Sequence, residues 1–378
     1  MSDRLTKATI NLSNYSHNIG ELVELVPSGT RVMAVVKANA YGHGIEEISK
    51  AAIAAGATYL GVASLGELRR IRSADIHAPV LILNYIDAGS LTDAVQLDAT
   101  VTIMDEALVE NANEIAASQG ETLKVHIKID TGMHRAGCDP GRVVAIAKAV
   151  QSASHLELEG VFTHFAESEA EDQAFTDRQL KVFTQCIETL KQVAIEPRLI
   201  HCANSAATIA RPDAHFTMVR PGIITYGLNP FSPEHELFHG VAENFKPVLS
   251  LSSEVIFIRD IMVGESVGYN RRWTADRPSK IALVPVGYGD GYRRSPHHAS
   301  NMLINGQYAP IIGGIAMDQT VIDITDIEGE VSLGDEVVIF GTQNGKSWTV
   351  DDVAKQYGTI NYEVVTALSD RIVRKYTH

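Results

Sequence analysis

The chain has 378 residues, 45% hydrophobic and 21% charged, which excludes a disordered or fibrous protein and points to one large domain with a smaller companion. Its 32 Lys and Arg stand against 46 Asp and Glu, a net charge of −14 that repels phosphate backbones and anionic lipid. Nucleic acid and membrane are therefore not expected partners, and any bound anion has to be held by local donors.

The N-terminus MSDRLTKATI has no apolar signal core, and no apolar run reaches membrane-spanning length. Cys138, Cys186 and Cys202 form no paired motif, so neither a disulfide framework nor a thiolate metal site is expected. A reduced, cytoplasmic protein is the reading.

Along the chain, KATINL reads as a first strand that needs a partner. Apolar runs at 32–36, 59–63, 80–83, 99–103, 125–129, 156–162, 198–200 and 217–219 then read as strands buried on both faces. Amphipathic segments separate them, among them Ile45, Ile48, Ala52, Ala55 and the stripe Val182, Phe183, Cys186, Ile187, Leu190. Eight such units fit an α/β (β/α)8 TIM-type barrel better than an open doubly wound sheet, although periodicity alone does not close the barrel. Near residue 230 the Pro-, Asn- and His-rich stretch NPFSPEHELFHGVAENFKP shows no period and reads as a connection. Alternating strands with glycine turns follow, including a hairpin at Asn305-Gly306, and a helix around 350–357 closes the chain. The expected division is a barrel over 1–235 and a mostly β domain over 236–378, with residues 1–12 joining the second domain's sheet.

In a barrel, chemistry sits on the loops after the strands' carboxyl ends. The first strand ends in Lys37, with Tyr41 close behind. KIDTGMHRAG after the fifth brings Lys128 and Arg135. Thr163-His164 follows the sixth, HCANSAA the seventh with His201, Asn204 and Ser205, and RPGIITYG the eighth with Arg220 and Gly222. Each has a plainer reading: a solvated lysine cap, a surface charge pair, a core histidine, a helix cap at Asn204-Ser205, a turn at RPG. Asp130-Thr131-Gly132 occurs once, whereas aspartic-protease chemistry needs two carboxylates sharing a proton, so that reading is rejected. GYGDGYRR lacks the strand–helix context of a dinucleotide loop, and no ligand spacing suggests a catalytic metal.

Taken together, AVVKANAYGHG, KIDTGMHRAG, VFTHFAES, HCANSAA, VRPGIITYG, GESVGY, VPVGYGDGYRR, AMDQ and TINYE closely resemble the PLP-dependent alanine racemases, in that family's order, from about residue 8 to the C-terminus. The resemblance implies a fold-type III barrel with a β domain and a homodimer whose active sites are shared between subunits. It implies that Lys37 carries pyridoxal 5′-phosphate as a Schiff base and then acts as a base at the α-carbon of alanine. Tyr269, in SVGYN, matches the second base, supplied by the partner subunit on the opposite face. The lysine serves the D-enantiomer and the tyrosine the L-enantiomer. A tyrosine pKa near ~10 has to be depressed by cationic neighbours for that role.

By the same resemblance the phosphate falls to Tyr41, Ser205, Tyr362 and the N–H groups of Gly222 and Ile223, with Asn204 in the cofactor-binding set. Arg220 faces the pyridine nitrogen and disfavours its protonation. His164 links Arg220 toward Tyr269. Arg135 and the partner's Met317 N–H hold the substrate carboxylate. Lys128, often carbamylated in the family, supports Arg135, and His201 and Asp318 are further supporting residues.

The chain departs from the family pattern at GGIAMDQ, where Gly314 stands in place of an arginine of the substrate corridor and Ala316 in place of cysteine or serine. The implied reaction is interconversion of L- and D-alanine, supplying D-alanine for peptidoglycan. Competing readings are a serine or broad-specificity racemase, a PLP-binding homeostasis protein, which would lack residues 236–378 and SVGYN, and a fold-type III decarboxylase, whose cysteine motif is not recognised here.

Overall fold

The apolar runs are parallel strands, because side chains on both of their faces are covered. The structure, a computed structural model, describes residues 4–294 and 300–378; residues 1–3 of the N-terminal segment lie outside it. After β1 (Lys7–Asn11) come β2 (Arg31–Val35), β3 (Tyr59–Val62), β4 (Val80–Ile82), β5 (Ala99–Ile103), β6 (Leu123–Lys128), β7 (Leu156–Phe162), β8 (Leu199–His201) and β9 (Met218–Val219). Strands β2 to β9 form an eight-stranded parallel sheet in the order β8-β7-β6-β5-β4-β3-β2-β9. Arg31 and Val32 pair with Met218 and Val219 at one edge. At the other, Thr217 N–H donates to Ile200 O at 3.2 Å and Arg220 N–H to Ala203 O at 2.9 Å. The sheet therefore closes into a barrel.

Inside it, Met33, Tyr59, Leu81, Phe162, Leu199 and Met218 pack as one cluster. Two glycines make room. A Cβ on Gly61 would lie 3.0 Å from Met33 Sδ, and one on Gly160 would lie 2.8 Å from the His126 ring. Outside, the long helix Ala174–Gln192 buries Phe183, Cys186, Ile187 and Leu190, as their spacing requires. No helix among the described residues is long and apolar enough to cross a membrane.

The stretch read as a plain connection contains the helix Phe238–Asn244. Val241 and Phe245 pack there with Leu22, Ala206, Ile224 and Phe231. Two apolar anchors are too few to show a period, yet they suffice to dock a short helix. The chain divides into two units, one of Met1–Ser13, Tyr41–Gly44 and Pro247–His378, the other of Asn14–Ala40 and Ile45–Lys246. The break at 246/247 falls beyond the expected 235, because this helix stays with the barrel.

The first-named unit holds β10 (Leu249–Glu254), β11 (Phe257–Ile261), β12 (Ser266–Val267), β13 (Trp273–Thr274), β14 (Ser279–Val284), β15 (Asn301–Ile304), β16 (Gln307–Ile312), β17 (Thr320–Asp323), β18 (Glu336–Gln343), β19 (Lys346–Trp348) and β20 (Val373–Thr377). Its main sheet runs β11-β14-β17-β16-β15-β18-β10-β1-β20, with β19 beside β18. KATINL finds its partners here: β1 pairs antiparallel with β10 and parallel with β20. Asn305 and Gly306, with φ of 51° and 74°, connect β15 to β16 in a turn whose two central residues are both left-handed. The closing helix spans Val350–Tyr357, held by a capping box of Thr349 and Asp352.

Candidate active site

Lys37 stands just past β2, at the start of a turn no propensity scale would propose. Ala38, Asn39, Ala40 and Tyr41 all take positive φ, between 51° and 54°, forming a left-handed turn without a glycine. Left-handed helical backbone costs about 1–2 kcal/mol per L-residue, so its surroundings must impose it. Glu67 does so from the first turn of the helix Leu65–Ser73. One of its carboxylate oxygens accepts Ala38 N–H at 2.6 Å and the other Ala63 N–H at 2.7 Å. Ala40 N–H returns to Val36 O at 2.8 Å, and Asn39 Oδ1 accepts Ile45 N–H at 3.1 Å. Glu67 was invisible to sequence reasoning because its position reads as an ordinary capping-box glutamate; here the carboxylate ties two strand ends together instead.

Cations gather on the same rim of the barrel. Burial, then the charge of Arg135, lower the Lys37 pKa, with Glu67 opposing and Arg220 adding to the decrease. Lys128, at the end of β6, is 7% exposed, and its amine lies 5.6 Å from the centroid of Phe162. Burial, followed by Arg220, Arg135 and Lys37, brings its pKa down to about 8. The lowered pKa enlarges the neutral fraction of each amine, which both imine formation and carbamate formation need.

The Lys128 shift has a consequence for stability. Between about 8 and the ordinary 10.5 the unfolded chain binds the Lys128 proton and the folded chain does not, so stability rises with pH across that window. In carbon dioxide-free buffer, Lys128→Gln is expected to flatten this rise in a pH series of denaturation midpoints. An unchanged slope would show that the buried amine does not titrate there.

Arg220 follows β9 and is 5% exposed. Its guanidinium donates to Thr163 O at 2.7 Å, Cys202 O at 3.1 Å, His201 Nδ1 at 3.0 Å and His164 Nδ1 at 3.3 Å. It lies 5.3 Å from the Phe162 centroid, and His201 stacks on that ring at 4.9 Å. Arginine only donates, so both histidines accept through Nδ1 and, when neutral, carry their protons on Nε2. Burial, with Arg220 next, holds both histidines well below their ordinary pKa.

Arg135 is exposed in the loop after β6. Asp130 shapes that loop, its carboxylate accepting the N–H groups of Gly132 at 2.9 Å and His134 at 3.1 Å. The Asp-Thr-Gly tripeptide is thus a turn device. Gln179, which sequence reasoning passed over, staples the loops after β6 and β7 by bonding Thr131 Oγ1, His164 O and Ala166 N–H. A polar residue on the buried side of an otherwise apolar helix face was the available signal.

Ser205 is 4% exposed and opens the helix Ser205–Ala210, with its Oγ accepting Gly222 N–H at 2.8 Å and Ile224 N–H at 3.4 Å. The hydroxyl keeps its own proton to offer an anion. Gly222 has a φ of −117°, so no left-handed backbone requires a glycine there. Asn204 caps the helix, its Oδ1 accepting Ala207 N–H at 3.0 Å and the Ser168 hydroxyl at 2.8 Å.

The remaining predicted residues belong to the β-rich unit. Tyr41 and Tyr362 lie there with ring centroids 6.2 Å apart. Tyr269 follows Gly268, whose φ is 74°, and is 72% exposed. Met317 is exposed, on a loop tied by Tyr288 N–H to Ala316 O and Gly289 N–H to Met317 O. Arg371 bonds Asp318 and also pairs with the fully buried Asp290, which Arg4 bonds too. At Gly314, an added Cβ would meet Arg294 at 3.8 Å, so the backbone there has space for a side chain.

A closed parallel barrel with a lysine of lowered pKa at its mouth, followed by a β-rich unit, defines an enzyme equipped to work through an amine. Comparison narrows it. The family models for the alanine racemase N-terminal and C-terminal domains match residues 10–230 and 248–376. Alanine racemase 2 of Caldanaerobacter subterraneus subsp. tengcongensis is 39% identical over 376 residues, covering 99% of this chain and 95% of that protein. The alanine racemase of Methanococcus maripaludis is 38% identical over 372 residues, covering 98% of each. Among solved structures, that of alanine racemase from Bacillus anthracis with bound L-Ala-P is 34% identical with a TM-score of 0.92, over 99% of this chain and 95% of that one. Alanine racemase from the D-cycloserine producer Streptomyces lavendulae is 31% identical with a TM-score of 0.93, over 100% and 98%. The chain belongs to the alanine racemase family and is an isomerase.

Proposed function

We propose that this chain interconverts L- and D-alanine in the cytoplasm, with pyridoxal 5′-phosphate joined to Lys37, as a homodimer in which the partner subunit's Tyr269 completes each site, and that its D-alanine serves peptidoglycan. The observation that carries this reading is the barrel-mouth cluster of Lys37, Lys128, Arg135 and Arg220. Burial first, then the neighbouring positive charges, lowers the pKa of both amines, and in a protein of net charge −14 this local excess of cations suits an anionic cofactor and a carboxylate substrate.

When bound, the cofactor supplies the electron sink that lets an α-proton leave. Lys37 moves that proton on one face of the reacting carbon, and the partner subunit's Tyr269 moves it on the other. The 72% exposure of Tyr269 in a single chain is what a residue destined for another subunit's site requires. Arg220 would face the ring nitrogen of the bound cofactor, where its charge would oppose protonation and so limit side reactions. The Ser205 hydroxyl and the Ile223 amide would hold the phosphate with Tyr41 and Tyr362, and the Gly222 amide would join them by exchanging its bond to Ser205 Oγ for one to the phosphate. Arg135 and the partner subunit's Met317 amide would orient the substrate carboxylate, with Lys128 as a carbamate bracing Arg135.

Chromatography on a chiral phase tests the activity. Cofactor-loaded protein should carry pure L-alanine and pure D-alanine to the same equal mixture. If both enantiomers stay pure, the proposal is wrong. Running L- and D-serine in parallel separates an alanine-selective enzyme from a broad-specificity one.

A further inference from the structure

The barrel interior carries a polar chain that the reaction as described does not use. His126, on β6, is fully buried, and its Nδ1 lies 2.9 Å from His201 Nε2. Its Nε2 lies 3.0 Å from Oε2 of Glu159, on β7, which is 2% exposed. Tyr59 donates its hydroxyl to the same oxygen at 2.7 Å and contacts Thr100 Oγ1 at 2.6 Å, and Arg198 bonds the other carboxylate oxygen. Gly160 leaves room for the His126 ring beside β7, since a Cβ there would lie 2.8 Å from it.

Donor and acceptor rules fix the direction of every proton. Arg220 donates to His201 Nδ1, so a neutral His201 carries its proton on Nε2 and donates to His126 Nδ1. His126 then carries its proton on Nε2 and donates to Glu159. Burial lowers the pKa of both imidazoles and so favours their neutral forms, with Glu159 opposing it at His126. Burial alone would raise the Glu159 carboxyl, but the bonds from His126 and Tyr59 and the charge of Arg198 outweigh it and hold the pKa down at about 2. A buried cation and a buried anion therefore cap two aligned imidazoles, and each bond polarises the next.

We propose that Glu159 is a positioning residue for Arg220, its carboxylate acting through His126 and His201 to fix both imidazole tautomers and hold the guanidinium in place. The inference rests on the proposed placement of the cofactor's ring nitrogen at Arg220. Weakening the chain lets the guanidinium shift, and what suffers is the control Arg220 exerts over that nitrogen, not substrate capture.

The test compares wild type, Glu159→Gln, His126→Leu and His126→Gln as cofactor-loaded proteins, with histidine 15N spectra recorded before and after loading. Wild type must first bind the cofactor and racemise alanine; failure there rejects the functional reading and not this one. Glu159→Gln and His126→Leu should lower kcat by roughly tenfold to a hundredfold, as small misplacements do, with KM nearly unchanged. They should also increase conversion of the cofactor to its amine form per turnover and move the His201 Nδ1 resonance. His126→Gln, whose amide accepts from His201 and donates to Glu159, should recover much of the loss seen in His126→Leu. Variants that only melt earlier, with kcat, product partition and His201 signal unmoved, would overturn the proposal.

Discussion

Lys37→Ala removes racemisation in both directions and the borohydride-reducible cofactor linkage with it. Removing a positioned proton-transfer group typically costs about 10²–10⁴-fold in rate, and this variant also loses the covalent hold on the cofactor, so activity at background is expected. The fold should survive. The left-handed turn is held by Glu67 through the backbone N–H of Ala38 and by Val36 through that of Ala40, and neither bond uses the lysine side chain. Circular dichroism and the denaturation midpoint should stay close to wild type while the cofactor's absorbance is lost on gel filtration. A lysine-free variant that kept a reducible linkage would move the chemistry to another amine.

Tyr269→Phe keeps the cofactor and loses turnover by about 10²–10⁴-fold. The loss cannot fall on one direction alone. The two enantiomers have equal free energy in achiral solvent, so kcat/KM for L to D and for D to L must remain equal in any variant. What survives is one-sided exchange. In deuterium oxide, the variant should exchange the α-hydrogen of D-alanine through Lys37 without inverting it, and leave that of L-alanine in place. Nuclear magnetic resonance of recovered alanine reads both outcomes. Exchange into both enantiomers at wild-type rates would remove Tyr269 from the reaction.

The barrel was legible because strands covered on both faces are written as largely apolar runs, and seven of the eight begin within one residue of where those runs start. The exception is β6, which begins at Leu123 because Lys124 interrupts the apolar run. The rim cluster was legible because Lys37, Lys128, His164 and Arg220 all fall at or just past strand ends. Other features depend on contacts between distant segments. Barrel closure runs through Thr217 and Arg220 backbone bonds beside very short strands. The left-handed turn at Ala38–Tyr41 contradicts local preference and exists because Glu67, far along the chain, imposes it. Glu159 and His126 stand out as polar residues within the strand segments LELEGVF and LKVHIK, but nothing in their spacing reveals that one chain of bonds joins them to Arg220.

The most direct measurement is to reduce the cofactor-loaded protein with borohydride, digest it, and locate the pyridoxyl label by mass spectrometry. The mark should fall on the peptide spanning AVVKANAYGHG, at residue 37 alone. A label on Lys128, or on any other amine with Lys37 unmodified, would contradict the account.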